Sequence, residues 1–420
     1  MRKFMLFLMV LALAFTFAVP AFAFENIFGG YWRTRMYMDK NFTGEDETEA
    51  ADVTQVDTRT RLYYTAKFSD NFKFVNKFEM DAVWGDSSSY GDIGADAVKV
   101  EVKNSYADMT FDKTNLKIGA QGMTICRGFL FDDDFAGAVV TVKASDTLSI
   151  PFIWIKAFEG GYGLDANDAD FDYYAIYPTM SLGKATVKPI FLYAYSKDSS
   201  NFDNFYTNPF GEDLTEIGLF FLGADVDVNV GPASVWFTGI YEGGSVDIET
   251  EVETDSVDVK AYLLALGAST DVDKLSIHGQ AFYASGYDSG SDYEGFWVPA
   301  GQSYYWAEIM GYGLIDNQVS AGSCADQISN IMALNLGASM KATDKLTLGA
   351  DLWFAQLAED DANGNSDLGT EIDLSANYAL LDNVSLDVVA AYLLAGDATT
   401  MESADDADPM EIGAQVSFSF

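Results

Sequence analysis

Arginine is rare after residue 23, and its placement along the chain is uneven. Of the five arginines, four lie in two neighbouring segments, and in each segment they stand two residues apart. Residues two apart on an extended strand point to the same side. Guanidinium groups on one wall of a cavity would filter solutes by charge. The spacing therefore predicts a basic stripe made of Arg33, Arg35, Arg59 and Arg61.

Carboxylates accompany this stripe in the sequence. Glu79 and Asp81 alternate in the next segment, and they could neutralise the arginines and stiffen a wall instead. This second interpretation is compatible with the first. The fifth arginine, Arg127, belongs to the segment 124–134, which we place in the third outer loop together with Asp132, Asp133 and Asp134. Folded inward, that loop would set its carboxylates opposite the stripe; being short, it could instead cap the rim.

The two cysteines, Cys126 and Cys324, both fall in predicted outer loops. On the oxidising side of a cell envelope they could form a disulfide that ties down the longer loop, 286–328. Free thiols are the alternative.

Oxygen-bearing side chains are spaced like the start of a calcium loop at Asp361, Asn363, Asn365 and Asp367. The distal glutamate of that motif is missing, so an acidic solvated loop is the alternative, and we expect no other cofactor. His278 is the only histidine, and no nucleophile motif or metal-binding Cys/His spacing accompanies it. The sequence therefore does not predict an enzyme.

The elements that would position these groups are alternating strands. The clearest is the last, where apolar residues alternate with polar ones up to the aromatic C-terminus: Met410, Ile412, Ala414, Val416, Phe418 and Phe420. The same period recurs in segments of about ten residues, the length a tilted strand needs to cross a membrane. Short Asp-, Asn- and Gly-containing turns separate them from longer acidic loops such as 39–53, 85–96 and 243–256.

Eight short turns and nine loops predict an all-β fold, a transmembrane antiparallel β-barrel of about eighteen strands, with sixteen as the alternative. A soluble β-sandwich or propeller would also alternate, but it would not need this strict rhythm of short and long connections. We expect the turns on the periplasmic side, the loops outside, and one barrel domain from 24 to 420.

The first residues indicate the compartment. Arg2 and Lys3 precede an apolar run from Phe4 to Val19 and the small-residue site at Ala21-Phe22-Ala23, so residues 1–23 are predicted to be a cleaved signal peptide. With 36 glycines and only 8 prolines, the composition suits strands and turns, and we expect a bacterial outer-membrane location. A net charge of -40 argues against nucleic acid as a partner and favours cations.

A barrel this wide is not filled by its own side chains, so it is expected to enclose water. The predicted function is passive diffusion of small hydrophilic solutes and ions. The long loop could fold into the vestibule or pack on a neighbouring subunit, and its aromatic residues could guide sugars in a substrate-specific channel: Tyr293, Phe296, Trp297, Tyr304, Tyr305 and Trp306. A surface adhesin and a barrel enzyme are weaker alternatives.

Four phrases resemble the abundant porins of sulfate-reducing delta-proteobacteria: VKNSYAD at 102–108, LKIGAQ at 116–121, DFAGA at 134–138 and YYWAE at 304–308. The resemblance implies a homotrimer that sits among outer-membrane lipids, including lipopolysaccharide, and passes small hydrophilic solutes. It carries no catalytic residues to this chain. The short third loop departs from general porins.

Overall fold

The fold is taken from a computed structural model that describes residues 24–46, 52–94, 99–160, 170–197, 213–249, 254–401 and 405–420. The predicted signal peptide, 1–23, lies outside the described residues. Within them, no helix is long and apolar enough to span a membrane.

Most of the described chain is antiparallel strand. The strands are β1 Glu25–Lys40, β2 Val53–Ser69, β3 Phe72–Val83, β4 Glu101–Phe111, β5 Thr114–Ile125, β6 Phe131–Lys143, β7 Leu148–Phe158, β8 Phe171–Ile176, β9 Thr179–Leu182, β10 Ala185–Ser196, β11 Asp213–Val230, β12 Ala233–Glu249, β13 Thr254–Val272, β14 Leu275–Ala284, β15 Ile331–Lys341, β16 Leu346–Leu357, β17 Asp367–Leu381, β18 Val384–Ala395 and β19 Met410–Ser419. The helical pieces are a 3-10 turn, Cys126–Gly128, and one helical turn, Asp397–Thr400.

The sheet closes on itself. Successive strands pair with each other, and β1 pairs with β19 in a continuous register that places Trp32 opposite Phe418. Both β8 and β9 pair with β7 and with β10, so they are two halves of one strand, interrupted near Pro178, which has no backbone N–H for the ladder. The result is a closed antiparallel barrel of eighteen strands, as predicted.

The C-terminal strand closes the barrel through its last residue. The backbone N–H of Gly30 donates to the carbonyl of Phe420 at 2.9 Å, and the N–H of Phe420 donates back at 3.2 Å. A Cβ atom at Gly30 would lie 2.6 Å from the backbone carbonyl oxygen of Arg61 and 2.4 Å from the Phe420 ring, so the close backbone approach favours glycine there. The aromatic terminus is therefore part of the seam between the first and last strands.

One predicted loop is mostly strand. Of the segment 243–256, residues up to Glu249 continue β12 and residues from Thr254 begin β13, and these strands pair to the ends of that range. The prediction of a long loop here is wrong, because Gly243 and Gly244 interrupt the alternation without ending the hydrogen-bond ladder. Gly244 has a positive φ of 128°, which glycine tolerates within a strand.

The outer surface of the barrel is apolar. On β13, Tyr262, Leu264 and Leu266 point outward and are 45%, 44% and 55% exposed, while Leu263 and Ala265 point inward and are buried. Exposed leucines and aromatics repeat on the neighbouring strands. Soluble monomers do not expose apolar belts of this extent, so the outer surface faces hydrocarbon and the strands span a membrane.

Inside, the walls differ from one another. Strands β11 to β16 present buried apolar residues to the lumen, including Phe221, Leu263 and Phe282, and a long loop covers them. We call residues 285–330, which connect β14 to β15, the inner loop. Its Phe296, Trp306 and Met310 belong to the same buried cluster. The loop therefore packs within the barrel. Of the two predicted placements, inside the vestibule or against a neighbouring subunit, the structure shows the first.

Candidate functional site

The inner loop is fixed to the barrel by buried carboxylates on the strands. Glu371 of β17 accepts hydrogen bonds from the backbone N–H groups of Ile309, at 2.7 Å, and Met310, at 3.0 Å. Glu242 of β12 accepts one from the N–H of Trp297 at 2.8 Å. Buried carboxyl oxygens that accept backbone N–H groups satisfy donors that the loop would otherwise leave unpaired. These acceptors hold the loop across the lumen.

The basic stripe contacts the same loop. Arg33 lies 3.3 Å from Asp316, and Arg35 forms an ion pair with Asp316 while also binding Asp57 at 2.7 Å. Arg33 and Arg35 therefore meet a carboxylate of the inner loop. The expectation that the third loop would supply their acidic partners is wrong for these two residues.

The other two stripe arginines pair with the next strand. Arg59 lies 2.6 Å from Asp81 and 3.6 Å from Glu79, and Arg61 forms an ion pair with Glu79. The geometry matches the interpretation in which carboxylates neutralise the arginines. It also leaves the guanidinium groups on the inside of the barrel, as the charge-filtering interpretation requires.

The acidic run after Arg127 is strand rather than loop. Asp132, Asp133 and Asp134 lie in β6, and the third connection is reduced to residues 126–130. Cys126 and Arg127 take positive φ angles of 51° and 63°, which turn the chain back within a few residues. Asp134 pairs with Lys103 of β4 at 3.2 Å. Of the two alternatives for the third loop, the connection turns inward, because Phe129 is fully buried and its ring packs near Trp236 and Phe282. The placement of Asp132 to Asp134 in that loop is wrong, because they belong to β6.

Arg127 points to a different wall from the stripe. It lies 2.9 Å from Asp225, forms an ion pair with Asp227, and stands 4.8 Å above the ring of Trp236. All three partners belong to β11 and β12. This arginine therefore joins the short third connection to β11 and β12.

The charged side chains surround one cavity of about 1000 Å³, which we call the charged cavity. The inner loop lines one side and strands β2 to β6 the other. Its basic residues are Arg59, Arg61, Lys77, Lys103 and Arg127, and its acidic residues are Glu79, Asp132, Asp133, Asp134, Asp316 and Asp326. A smaller cavity of about 300 Å³ shares Arg59 and is lined by Arg33 and Arg35. The predicted residues thus come together, although the inner loop supplies the facing wall.

The closed eighteen-strand barrel matches solved structures of outer-membrane proteins. The fold is that of an outer-membrane porin. Pseudomonas aeruginosa OpdQ aligns with a TM-score of 0.59 at 12% identity over 94% of this chain and 99% of that one. OpdK with vanillate, from the same organism, gives 0.56 at 13% over 94% and 98%. Acinetobacter baumannii OccAB4 gives 0.57 at 10% over 96% and 100%.

At sequence identities of 10% to 13%, the similarity to these three structures concerns the fold alone. No protein-family model matches the sequence, and no curated protein matches it.

Both cysteines are free thiols, so the disulfide considered between them is not formed. Cys126 is buried at the third connection, where its N–H donates to the Tyr177 hydroxyl at 3.1 Å. Cys324 lies within the inner loop, its thiol nearest the carbonyl of Ala325. Burial raises the pKa of each thiol to about 12. The two sulfurs are held in separate packed environments.

In the segment considered for calcium, residues 361–367, the aspartate oxygens accept hydrogen bonds from nearby backbone N–H groups. Asp361 accepts hydrogen bonds from the N–H groups of Asn363, at 2.8 Å, and Asn365, at 2.9 Å, and Asp367 accepts one from Gly369 at 3.0 Å. Among the described residues, no group of three or more His, Cys, Asp or Glu side chains is placed to hold a metal. The segment is a self-bonded turn, so the structure does not support the calcium prediction.

Two important groups were not singled out from the sequence. Asp316 sits in an aperiodic loop, where nothing in the local pattern marks it. Glu371 was visible as a carboxylate alternating with aliphatic residues, but that pattern alone does not show that it binds backbone rather than water. A fully buried carboxylate on a lumen face is the signal that only the structure supplies.

Proposed function

We propose that this chain is an outer-membrane channel for passive diffusion of small hydrophilic solutes and ions. The observation that supports it is the charged cavity, about 1000 Å³ in volume, inside a closed barrel whose outside is apolar. Charged walls keep such a space hydrated and favour polar solutes over apolar ones. The net charge of -40 concentrates cations at the mouths, while the stripe favours anions locally.

Liposome swelling tests this function. Proteoliposomes that contain the folded barrel should swell rapidly in an isotonic monosaccharide and more slowly as the sugar lengthens, because the inner loop narrows the lumen. Liposomes with heat-denatured protein are the control. Swelling no faster than the control in every sugar would reject the channel.

A substrate-specific channel is the second candidate, and the basic stripe favours it. One structural neighbour was solved with vanillate, an aromatic carboxylate. We propose that small organic anions dwell beside Arg59 and Arg61. Vanillate should then interrupt the ion current, whereas the uncharged vanillyl alcohol should not. Equal effects of the two compounds would reject anion selection by charge.

We further propose membership of the homotrimeric porins of sulfate-reducing delta-proteobacteria, on the phrases 102–108, 116–121, 134–138 and 304–308. The partners would be two further copies of the chain and outer-membrane lipids, including lipopolysaccharide, against the apolar belt. Native mass spectrometry of detergent-solubilised protein should give three times the chain mass; a monomer would reject this assembly. We propose no catalytic activity, since the structural neighbours are channels.

A further inference from the structure

A second cavity, of about 330 Å³, lies between the inner loop and strands β12 to β17. We call it the acidic cavity. Three carboxylates line it, from Glu308, Asp351 and Asp373, and among its described lining residues there is no lysine or arginine. Its volume is at the lower end of the range for small-molecule sites. It therefore has the size and the charge to select a small cation.

The carboxylates of this cavity are unequally satisfied. The same oxygen of Asp351 lies 2.7 Å from His278 Nε2 and accepts from the Asn335 amide at 3.0 Å. Glu308 accepts from the N–H of Leu314 at 2.6 Å. Asp373 is only 8% exposed, and its Oδ1 has no hydrogen-bond partner. The carboxyl group of Glu371 lies beside Asp373. A buried carboxylate oxygen without a donor and next to a second carboxyl group is costly, so a cationic ligand would stabilise this arrangement.

Aromatic rings complete the lining. Trp236, Trp306 and Trp353 border the cavity, and the centroids of the Trp306 and Trp353 rings are 5.2 Å apart at a steep angle. Tryptophan faces attract ammonium groups through the ring quadrupole, most strongly where water is excluded. Carboxylates placed beside tryptophans suit an organic ammonium. A bare metal ion fits poorly, because the described side chains offer no cluster of ligands for one.

We propose that the acidic cavity is a binding site for small organic ammonium solutes. The inference deepens the proposed channel function and rests on it, because the ligand is a solute of the same lumen. Asp373 and Glu308 supply the carboxyl groups, and Glu308 is ionised above its pKa of about 7. Trp306 and Trp353 supply the apolar rim. The inner loop then borders two cavities of different charge. The charged cavity has both basic and acidic residues, whereas the acidic cavity has carboxyl groups without lysine or arginine among its described lining residues.

Choline and its uncharged isostere 3,3-dimethylbutan-1-ol test the site. Titrated calorimetrically into the folded full-length barrel in detergent, choline should bind about tenfold more tightly than the alcohol. Asp373→Asn and Glu308→Gln should each weaken choline binding by roughly fivefold or more while preserving side-chain shape. Asp387→Asn, which changes a β18 carboxylate outside the cavity, is the matched control and should bind like the parent.

Equal affinity for choline and the alcohol, absence of choline binding, or unchanged binding in both cavity variants would each overturn the proposal. The comparison of the two ligands needs no variant, so it stands even if a substitution prevents folding. Calorimetry needs no ion flow, so a barrel that binds choline without conducting would reject the channel and leave the site intact.

Discussion

Asp316 is the single carboxylate that joins the inner loop to Arg33 and Arg35. Its removal leaves Arg35 with Asp57 but takes away the ion-pair partner that the structure gives Arg33. We predict that Asp316→Asn shifts selectivity towards anions, lowering the K⁺/Cl⁻ permeability ratio about twofold. Reversal potentials in a salt gradient measure this ratio.

Asp382→Asn, in an exposed periplasmic turn, is the control for that substitution and should leave the ratio unchanged. An unchanged ratio in Asp316→Asn as well would place Asp316 away from the conduction path.

The two thiols give a prediction about accessibility. Cys126 is buried, Cys324 is half-buried, and the pKa of each free thiol is raised. Folded protein should therefore resist a maleimide reagent, since the thiolate is the reactive form. Denatured protein, without reductant, should take up two maleimides. Mass spectrometry distinguishes the outcomes, and denatured protein that takes up none would show a disulfide after all.

At the scale of elements, the docking of the inner loop depends on Glu371. We predict that Glu371→Ala weakens docking by about 2 kcal/mol or more, because two buried N–H groups lose a charged acceptor. Hydrogen exchange at Ile309 and Met310 should accelerate accordingly. Glu371→Gln retains one acceptor oxygen, so its exchange rates should fall between those of the parent and those of Glu371→Ala. Exchange in Glu371→Ala that is as slow as in the parent would contradict this role.

Loop docking should also depend on pH. Burial raises the pKa of Glu308 to about 7 from an ordinary value of 4.5, and Asp373 and Asp351 raise it too, although the N–H of Leu314 opposes them. The docked state thus disfavours the ionised carboxylate. Docking is strongest below pH 4.5 and weakens as the pH rises through about 7, by up to about tenfold per pH unit within that window.

Exchange protection of the inner loop, corrected for the intrinsic rate, measures this dependence. Glu308→Gln cannot ionise at this position, so its protection should depend on pH less steeply than that of the parent over the same range. An identical slope in the parent and in Glu308→Gln would assign the titration to another group.

The strands were predictable from the sequence because each needs only its own alternation and a turn at each end. The start of β6 was predicted too late, because Asp132 to Asp134 have a composition typical of loops although they lie within the strand. The apolar inner faces of β11 to β16 were not predicted. Lumen-facing residues were expected to be polar, which does not hold where a loop packs inside the barrel. The apolar run from Tyr262 to Leu266 is the local sign that both faces of a strand are covered.

The stripe was predictable for the same reason, since residues two apart on neighbouring strands must share a wall. Its partner Asp316 was not, because contacts between a strand and a distant loop leave no period in the sequence. The acidic cavity likewise joins residues from six strands and the inner loop.

At the scale of the whole molecule, the fold separates two tasks. The hydrogen-bond ladder, closed between β1 and β19, satisfies the backbone within hydrocarbon, as a spanning sheet must. The inner loop and the stripe then decide what space is left for solutes. An apolar belt outside and a charged cavity inside are therefore expected to give a hydrated path across the membrane.

Conductance across a planar lipid bilayer tests that claim most directly. The folded protein, identified by its heat-modifiable migration, should insert to give discrete, stable current steps and a nonzero reversal potential under a KCl gradient. Folded, inserted protein that leaves the bilayer silent at every voltage would contradict the account.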